Sequence, residues 1–214
     1  MTTFGDINAA IADDIDDTTG EYSAQISRAV LAAIRYCERN TYYFNETRDV
    51  TFPTVQGQEW YDAADNANIP TLVHIVDAWS EDANGDRDPL RRATPQEMEL
   101  LSDNSASIGE PYAYTYFGQR IRIYPIPAAT SYTIRLQLGP YRLTPLSGDT
   151  DTNAWLSEAY DMVKARAKYI LAKDTLKDAI VAAEALNDYR DQDMALAGET
   201  TSRNARGYVC ATDF

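Results

Sequence analysis

Histidine is almost missing from this sequence. The single copy, His74, sits inside the apolar run Leu72–Val76. With no serine or cysteine nucleophile motif beside it, a lone imidazole reads as a strand residue and not as a catalyst. Cysteine is equally scarce. Cys37 and Cys210 lie too far apart to suggest a disulfide framework, and with one histidine they make a zinc site improbable. Cys37 falls on the apolar face of a predicted helix, where a buried free thiol is expected. No apolar run approaches the roughly 20 residues that a membrane span requires. Met1–Asp6 lacks the basic start and apolar core of a secretory signal. These absences together predict a protein made in a reducing cytoplasm, with no membrane partner. Neither a phosphate-binding GK[ST] loop nor a dinucleotide fingerprint occurs.

Basic residues are also few, 19 against 33 acidic ones, for a formal charge of −14. Gripping a nucleic-acid backbone needs clustered Lys and Arg, so this balance argues against it. It leaves open a surface past which DNA slides without sticking, and it also serves plain solubility. The acids concentrate in residues 1–79, which carry 13 acids and 4 bases, led by Asp13, Asp14, Asp16 and Asp17.

What is present is an ordered succession of elements. Thr3 and Asp6 start a short helix running to Ile15. Thr18 and Glu21 have the spacing of a reciprocal cap and open a second helix to about Arg39, with Ile26, Val30, Ala33 and Cys37 on one stripe. From Asp49 the pattern turns extended. Val50 and Phe52, then Trp60 and Tyr61, then Leu72–Trp79 read as strands, and Leu90–Ala93 as an edge. Thr94, Pro95 and Glu97 combine cap, first-turn proline and capping acid, predicting a helix to about Asp103. Between Gly109 and Leu146 three alternating runs follow, carrying Tyr112, Tyr114 and Tyr116, then Ile121 and Ile123, then Ile134, Leu136 and Leu138. Period-two alternation places each set on one side of a sheet. Gly118–Gln119 fits a two-residue hairpin of type II′. From about Thr152 the absence of Gly and Pro predicts one helix reaching Met194, followed by a polar hinge at Gly198–Asn204.

Few patterns here could carry chemistry. Asp82, Asn84, Asp86 and Asp88 resemble a calcium loop, but Gly85 is fourth instead of sixth and Ala93 stands where the bidentate Glu belongs. Asp149, Asp151 and Asn153 fail in the same way. Solvated loops or helix caps are expected at both. Two of the many carboxylates would serve a peptidoglycan hydrolase, the alternative reading, but nothing singles out a pair. Arg120, Arg122 and Arg135 alternate outward beside the tyrosines. That side is either a Tyr/Arg surface for protein contacts or an ordinary sheet with a solvated arginine face. No catalytic, cofactor-binding or metal-binding residues are expected.

The order of features resembles the head-to-tail adaptor (connector) proteins of tailed bacteriophages. The likeness is carried by the N-terminal helices, TFPTVQGQEWYD at Thr51–Asp62, LVHIVDA at Leu72–Ala78 and PLRRATPQEME at Pro89–Glu99. It continues through GEPYAYTYFGQRIRIYPIP at Gly109–Pro127, YTIRLQLGPYRLTPLS at Tyr132–Ser147 and the long helix. The expected fold is α+β, a helical bundle with a long C-terminal helix and an inserted, mainly antiparallel β-sheet domain. Its boundaries are 1–47 for the N-terminal helices, 48–148 for the β-rich insertion with one short helix, 149–196 for the long helix and 197–214 for a docking tail.

The resemblance implies a ring, commonly of twelve copies, in the virion neck between portal and tail nozzle or tail-tube proteins. Helices would surround a channel through which DNA passes unbound, and the chain would reside in the host cytoplasm during assembly. The tail Ala197–Phe214 would reach the portal, with Tyr208, Val209 and Phe214 ordering on that partner. Tyr112, Tyr114, Tyr116, Arg120, Arg122 and Arg135 are the candidate contacts to other subunits or to the tail.

Overall fold

The computed structural model describes residues 2–102, 107–128 and 132–204. The chain divides into two compact units, one from Met1–Asn45 with Leu143–Phe214 and the other from Glu46–Arg142. The fold is α+β, as the sequence predicts.

The first unit is helical. Helix α1 (Phe4–Asp14) starts at Thr3, whose hydroxyl accepts the Asp6 N–H at 3.2 Å while the Asp6 carboxylate accepts the Thr3 N–H at 2.8 Å. The cap at Thr3 and the acid in the first turn are as the sequence predicts; the bond back from Asp6, which makes the pair reciprocal, is seen in the structure. Two further donors at the helix start, the N–H groups of Phe4 and Gly5, bond the carbonyls of Asp151 and Asp149 at 2.8 Å each. A Cβ on Gly5 would lie 3.1 Å from Asp149, so any larger residue there would have to push the Asp149 segment back by a few tenths of an ångström.

Helix α2 (Ser23–Cys37) departs from expectation at its cap. Thr18 and Glu21 do not pair. Instead the Asp17 carboxylate accepts the N–H groups of Glu21 at 3.0 Å and Tyr22 at 2.9 Å. One carboxylate offers an oxygen to each of two successive donors, which a threonine hydroxyl does not. The buried stripe Ile26, Val30, Ala33 and Cys37 is as predicted.

The single C-terminal helix expected from the sequence is instead segmented. It comprises α4 (Ala154–Glu158), α5 (Tyr160–Leu171), a π-helical turn at Ala172–Leu176, and α6 (Ala179–Asn204). Glycine and proline are not the only breakers. Lys177 takes the left-handed backbone, φ 57°, and the Asp178 carboxylate accepts the N–H groups of Ile180 and Val181 at 2.9 and 3.1 Å, which starts a new helix. Helix α6 then packs on α5.

The hinge expected at Gly198–Asn204 is also helical. Thr200 donates its hydroxyl to the Leu196 carbonyl at 2.8 Å and accepts the Tyr43 N–H at 3.3 Å, while the Arg203 guanidinium lies 3.7 Å from the Tyr43 ring centre. These contacts hold the last two turns of α6 in place of the predicted hinge.

One core joins the unit. Phe4, Ile7 and Ile11 meet Ile26, Val30 and Cys37 from α2, and Trp155, Met162, Val163, Leu171 and Tyr189 from the C-terminal helices. Tyr42 stands edge-on to Trp155, with ring centres 5.8 Å apart, and donates its hydroxyl to the Asp193 carboxylate. Burial first, and that bond second, push the phenol above its usual range. Burial likewise pushes the free Cys37 thiol up to about 12, which makes it unreactive. Asp14 on α1 is bracketed by Lys164 at 3.0 Å and Lys168 at 2.9 Å on α5. Partial burial raises its carboxyl, but hydrogen bonds to Lys168 and Lys164 outweigh this and hold it below 3.8.

The second unit is a pair of four-stranded sheets. The strands in chain order are β1 (Thr47–Pro53), β2 (Trp60–Tyr61), β3 (Ile75–Glu81), β4 (Arg87–Pro89), β5 (Arg91–Arg92), β6 (Ile108–Gly109), β7 (Ala113–Phe117), β8 (Arg120–Tyr124), β9 (Ile126–Pro127) and β10 (Thr133–Leu138). One sheet runs β1-β10-β3-β4, the other β2-β8-β7-β5, and β6 pairs with β9. The pairs β5–β7 and β6–β9 are parallel and the rest antiparallel.

Central β10 pairs Leu136 with Val50 on one side and with Ala78 on the other. Ile134, Leu136 and Leu138 all point into a core shared with Phe52, Tyr61, Tyr114, Ile121 and Ile123. The β7–β8 hairpin turns at Gly118 and Gln119, both with positive φ, 59° and 62°. The turn is therefore type I′ and not the expected II′; its twist matches that of the flanking strands. Helix α3 (Pro95–Leu101) has the predicted Thr94–Glu97 box.

Two outcomes test these cores. Leu136→Asp buries a carboxylate with no partner in a fully buried site and is expected to cost about 4 kcal/mol, read from urea denaturation. For Asp14, the folded carboxyl lies below its unfolded value. Its stabilisation is therefore complete above 3.8 and disappears as the pH falls through the lowered value. Asp14→Asn is expected to melt earlier than the parent at pH 6, and the gap in Tm should close as the pH falls below the ordinary carboxylate range and through the lowered value.

Candidate functional site

The two calcium-like runs are spent within the chain. The Asp82 carboxylate accepts the N–H groups of Asp86 at 2.9 Å and Asn84 at 2.8 Å, closing the turn between β3 and β4. These bonds, led by that from Asp86, hold its carboxyl below the ordinary value. Asp151 accepts from the N–H groups of Gly148 and Ser147, each at 2.8 Å, and is lowered by the same cause. Among the described residues no group of three or more His, Cys, Asp or Glu is placed to hold a metal ion. His74 is an exposed residue just ahead of β3, and its carbonyl accepts the Gly139 N–H at 3.3 Å.

The six candidate contact residues of the sheets do not form one surface. Tyr114 is in the core. Tyr116 is half-buried, with its hydroxyl donating to the Ile69 carbonyl at 2.9 Å. Tyr112 precedes β7, is exposed, and stands edge-on to Tyr124. Arg120 is exposed and 3.8 Å from Asp62. Arg135 belongs to the other sheet and is half-buried, 3.4 Å from Glu81.

Arg122 departs most from an outward-facing reading, because its side chain is only 9% exposed. The face it occupies is covered by α3. Met98 of α3 packs on Ala113 of β7, with Leu101 and Tyr124 beside them. The Arg122 guanidinium donates to Glu99 at 2.6 Å, to Glu59 at 3.2 and 3.3 Å and to Ser102 at 3.1 Å, and lies 5.4 Å from the Trp60 ring centre. It fastens α3 to the sheet. Tyr208, Val209 and Phe214, the candidate portal contacts, lie outside the described residues.

A second grouping of arginines was not recognised in the sequence. Arg28 and Arg35 project from α2 beside Leu31 and Tyr36, with Arg39 in the turn just after the helix, and they face Arg166 and Ile170 of α5 across a groove of about 450 Å³. The Arg166 guanidinium lies 3.8 Å from the Tyr36 ring centre, 4.9 Å from Tyr169 and 5.1 Å from Tyr189. Its Nε is buried without a hydrogen-bond partner. Aromatic faces attract the charge without supplying such a partner. The available signal was the spacing of Arg28, Arg35 and Arg39, which repeats at seven and four residues on the face flanking the buried stripe.

A family model described as SU10 adaptor protein matches residues 2–209. The chain belongs to this phage adaptor family, and membership implies a structural, non-enzymatic role in a virion. Among curated proteins no match was found.

The Arg122 network has a measurable consequence. Arg122→Ala removes the clamp on α3 and leaves Glu59 without its cation. It is expected to lower stability by about 2 kcal/mol in urea denaturation. Arg122→Lys should recover only part of this, because an ammonium does not reproduce the planar fork.

Proposed function

We propose that this chain is the head-to-tail adaptor of a tailed-phage virion. Copies assemble into a ring, twelve being the number the resemblance implies. The ring joins the portal to tail nozzle or tail-tube proteins and encloses the channel through which DNA passes. The observation that carries the reading is the family match over residues 2–209.

Physical features of the chain support it. A charge of −14 suits a wall that DNA must slide past without being held. A ring of identical copies needs two different patches on each subunit, and the helical unit bears an arginine-lined groove on α2 and α5 as well as an exposed face of different character on α6. No helix among the described residues is long and apolar enough to cross a membrane. The site of action is the neck, reached after assembly in the host cytoplasm.

Portal contact is assigned to the segment after α6, through Tyr208, Val209 and Phe214. Ala197–Asn204 belong to α6, so the proposed docking tail starts at Ala205 and not at Ala197.

Light scattering of the full chain, alone and with the portal of its virion, tests the reading. The expected result is a closed multiple of 23.9 kDa, either free or added to the portal. A chain that stays monomeric and adds no mass to the portal would contradict it. Deleting Ala205–Phe214 is expected to leave the melting temperature unchanged and to weaken portal docking. Undiminished docking would remove the tail from the account.

A further inference from the structure

We propose that the groove between α2 and α5 receives α6 of the neighbouring copy and that this is the head-to-tail contact of the ring. The proposal rests on the ring reading above and names its two faces. The floor of the groove is apolar, with Leu31, Tyr36 and Ile170, and its rim carries Arg28, Arg35 and Arg39. Among the described residues none of these three rim arginines is in an ion pair. Arg166 at the base is fixed by Tyr36, Tyr169 and Tyr189, so the groove is preformed.

Helix α6 supplies the matching face. Its inner side buries Ala182, Ala185, Tyr189 and Leu196. The opposite side leaves Ile180 at 73% and Met194 at 69% exposure, with exposed Glu184 and Asp191 between them. Apolar residues this exposed on one helix face, alternating with acids, suit a helix-in-groove contact. The register also fits. Glu184 and Asp191 are seven residues apart, and so are Arg28 and Arg35; both pairs span about 10 Å on a helix. Two helices lying side by side would bring both pairs together.

Charge selects this occupant over others. Two arginine grooves facing each other would repel, which disfavours a symmetric dimer. A nucleic-acid backbone would meet a chain of −14, whereas α6 of a second copy brings both carboxylates and apolar surface. Exposed ion pairs add little affinity, so the apolar floor provides adhesion and the charges set register and polarity. Because the two faces differ, the contact is heterologous and propagates to closure.

The test uses the full chain, alone and with its portal, followed by sedimentation velocity. Arg28→Glu/Arg35→Glu and Glu184→Arg/Asp191→Arg alter exposed side chains, and each is expected to keep a Tm within about 2 °C of the parent. Each variant on its own should associate about 100-fold more weakly than the parent. An equal mixture should regain the parental mass, since every contact in an alternating ring is then between opposite charges. A parent that forms rings while both variants do so equally well would overturn the interface and leave the ring standing. Variants that fail singly and also fail as a mixture would overturn the pairing. A parent that never multimerises would overturn the ring reading and this inference with it.

Discussion

The helical unit depends on a closure between the two ends of the chain. Its core takes α1 and α2 from the first 45 residues and α4, α5 and α6 from residues beyond 143, with the whole sheet unit lying between them in sequence. Neither set of helices buries its apolar stripe without the other. Tyr42 is the clearest point of closure. It follows α2, packs on Trp155 and bonds Asp193 of α6, so one residue ties three distant parts of the chain. The carbonyls of Asp149 and Asp151 do similar work at the start of α1, where they take up donors that a helix leaves unpaired. Bringing such remote segments together costs loop entropy, and that cost grows only slowly with the length of chain between them.

This closure determines which helix faces remain outside. Helix α5 is central, since α1, α2 and α6 all pack on it. The outer helices α2 and α6 are left with faces of opposite chemical character, arginines on one and carboxylates with isolated apolar residues on the other. A subunit that spends its core on self-closure and leaves two unlike faces is suited to polar, repeating assembly. The sheet unit is stabilised by different means. Its core is shared between two four-stranded sheets, and α3 is clamped over one outer face by the buried guanidinium of Arg122.

Much of this was legible in the sequence because it rests on local rules. The caps at Thr3 and Thr94 were visible as spacings, and the strands around Val50, Ile121 and Leu136 as alternation. Three features were not, for physical reasons. The break at Lys177–Asp178 involves neither glycine nor proline; it turns on a cap inside a helix-favouring run, where propensity alone points the wrong way. The burial of Arg122 depends on where α3 lies, and alternation along a strand reports only which face a residue occupies, not what covers that face. The groove arginines required knowing that α5 runs beside α2, a tertiary fact. The family resemblance was legible because it rests on the order of many weak patterns, and it agrees with the match over residues 2–209.

The central claim is that this chain is a neck component whose helical units make the subunit-to-subunit contact. Cryo-electron microscopy of the intact virion neck, at a resolution that separates helices, tests it most directly. The account predicts a closed ring in which α2 of each copy lies against α6 of the next. A neck in which this chain is absent, or in which adjacent copies meet only through their sheet units, would contradict it.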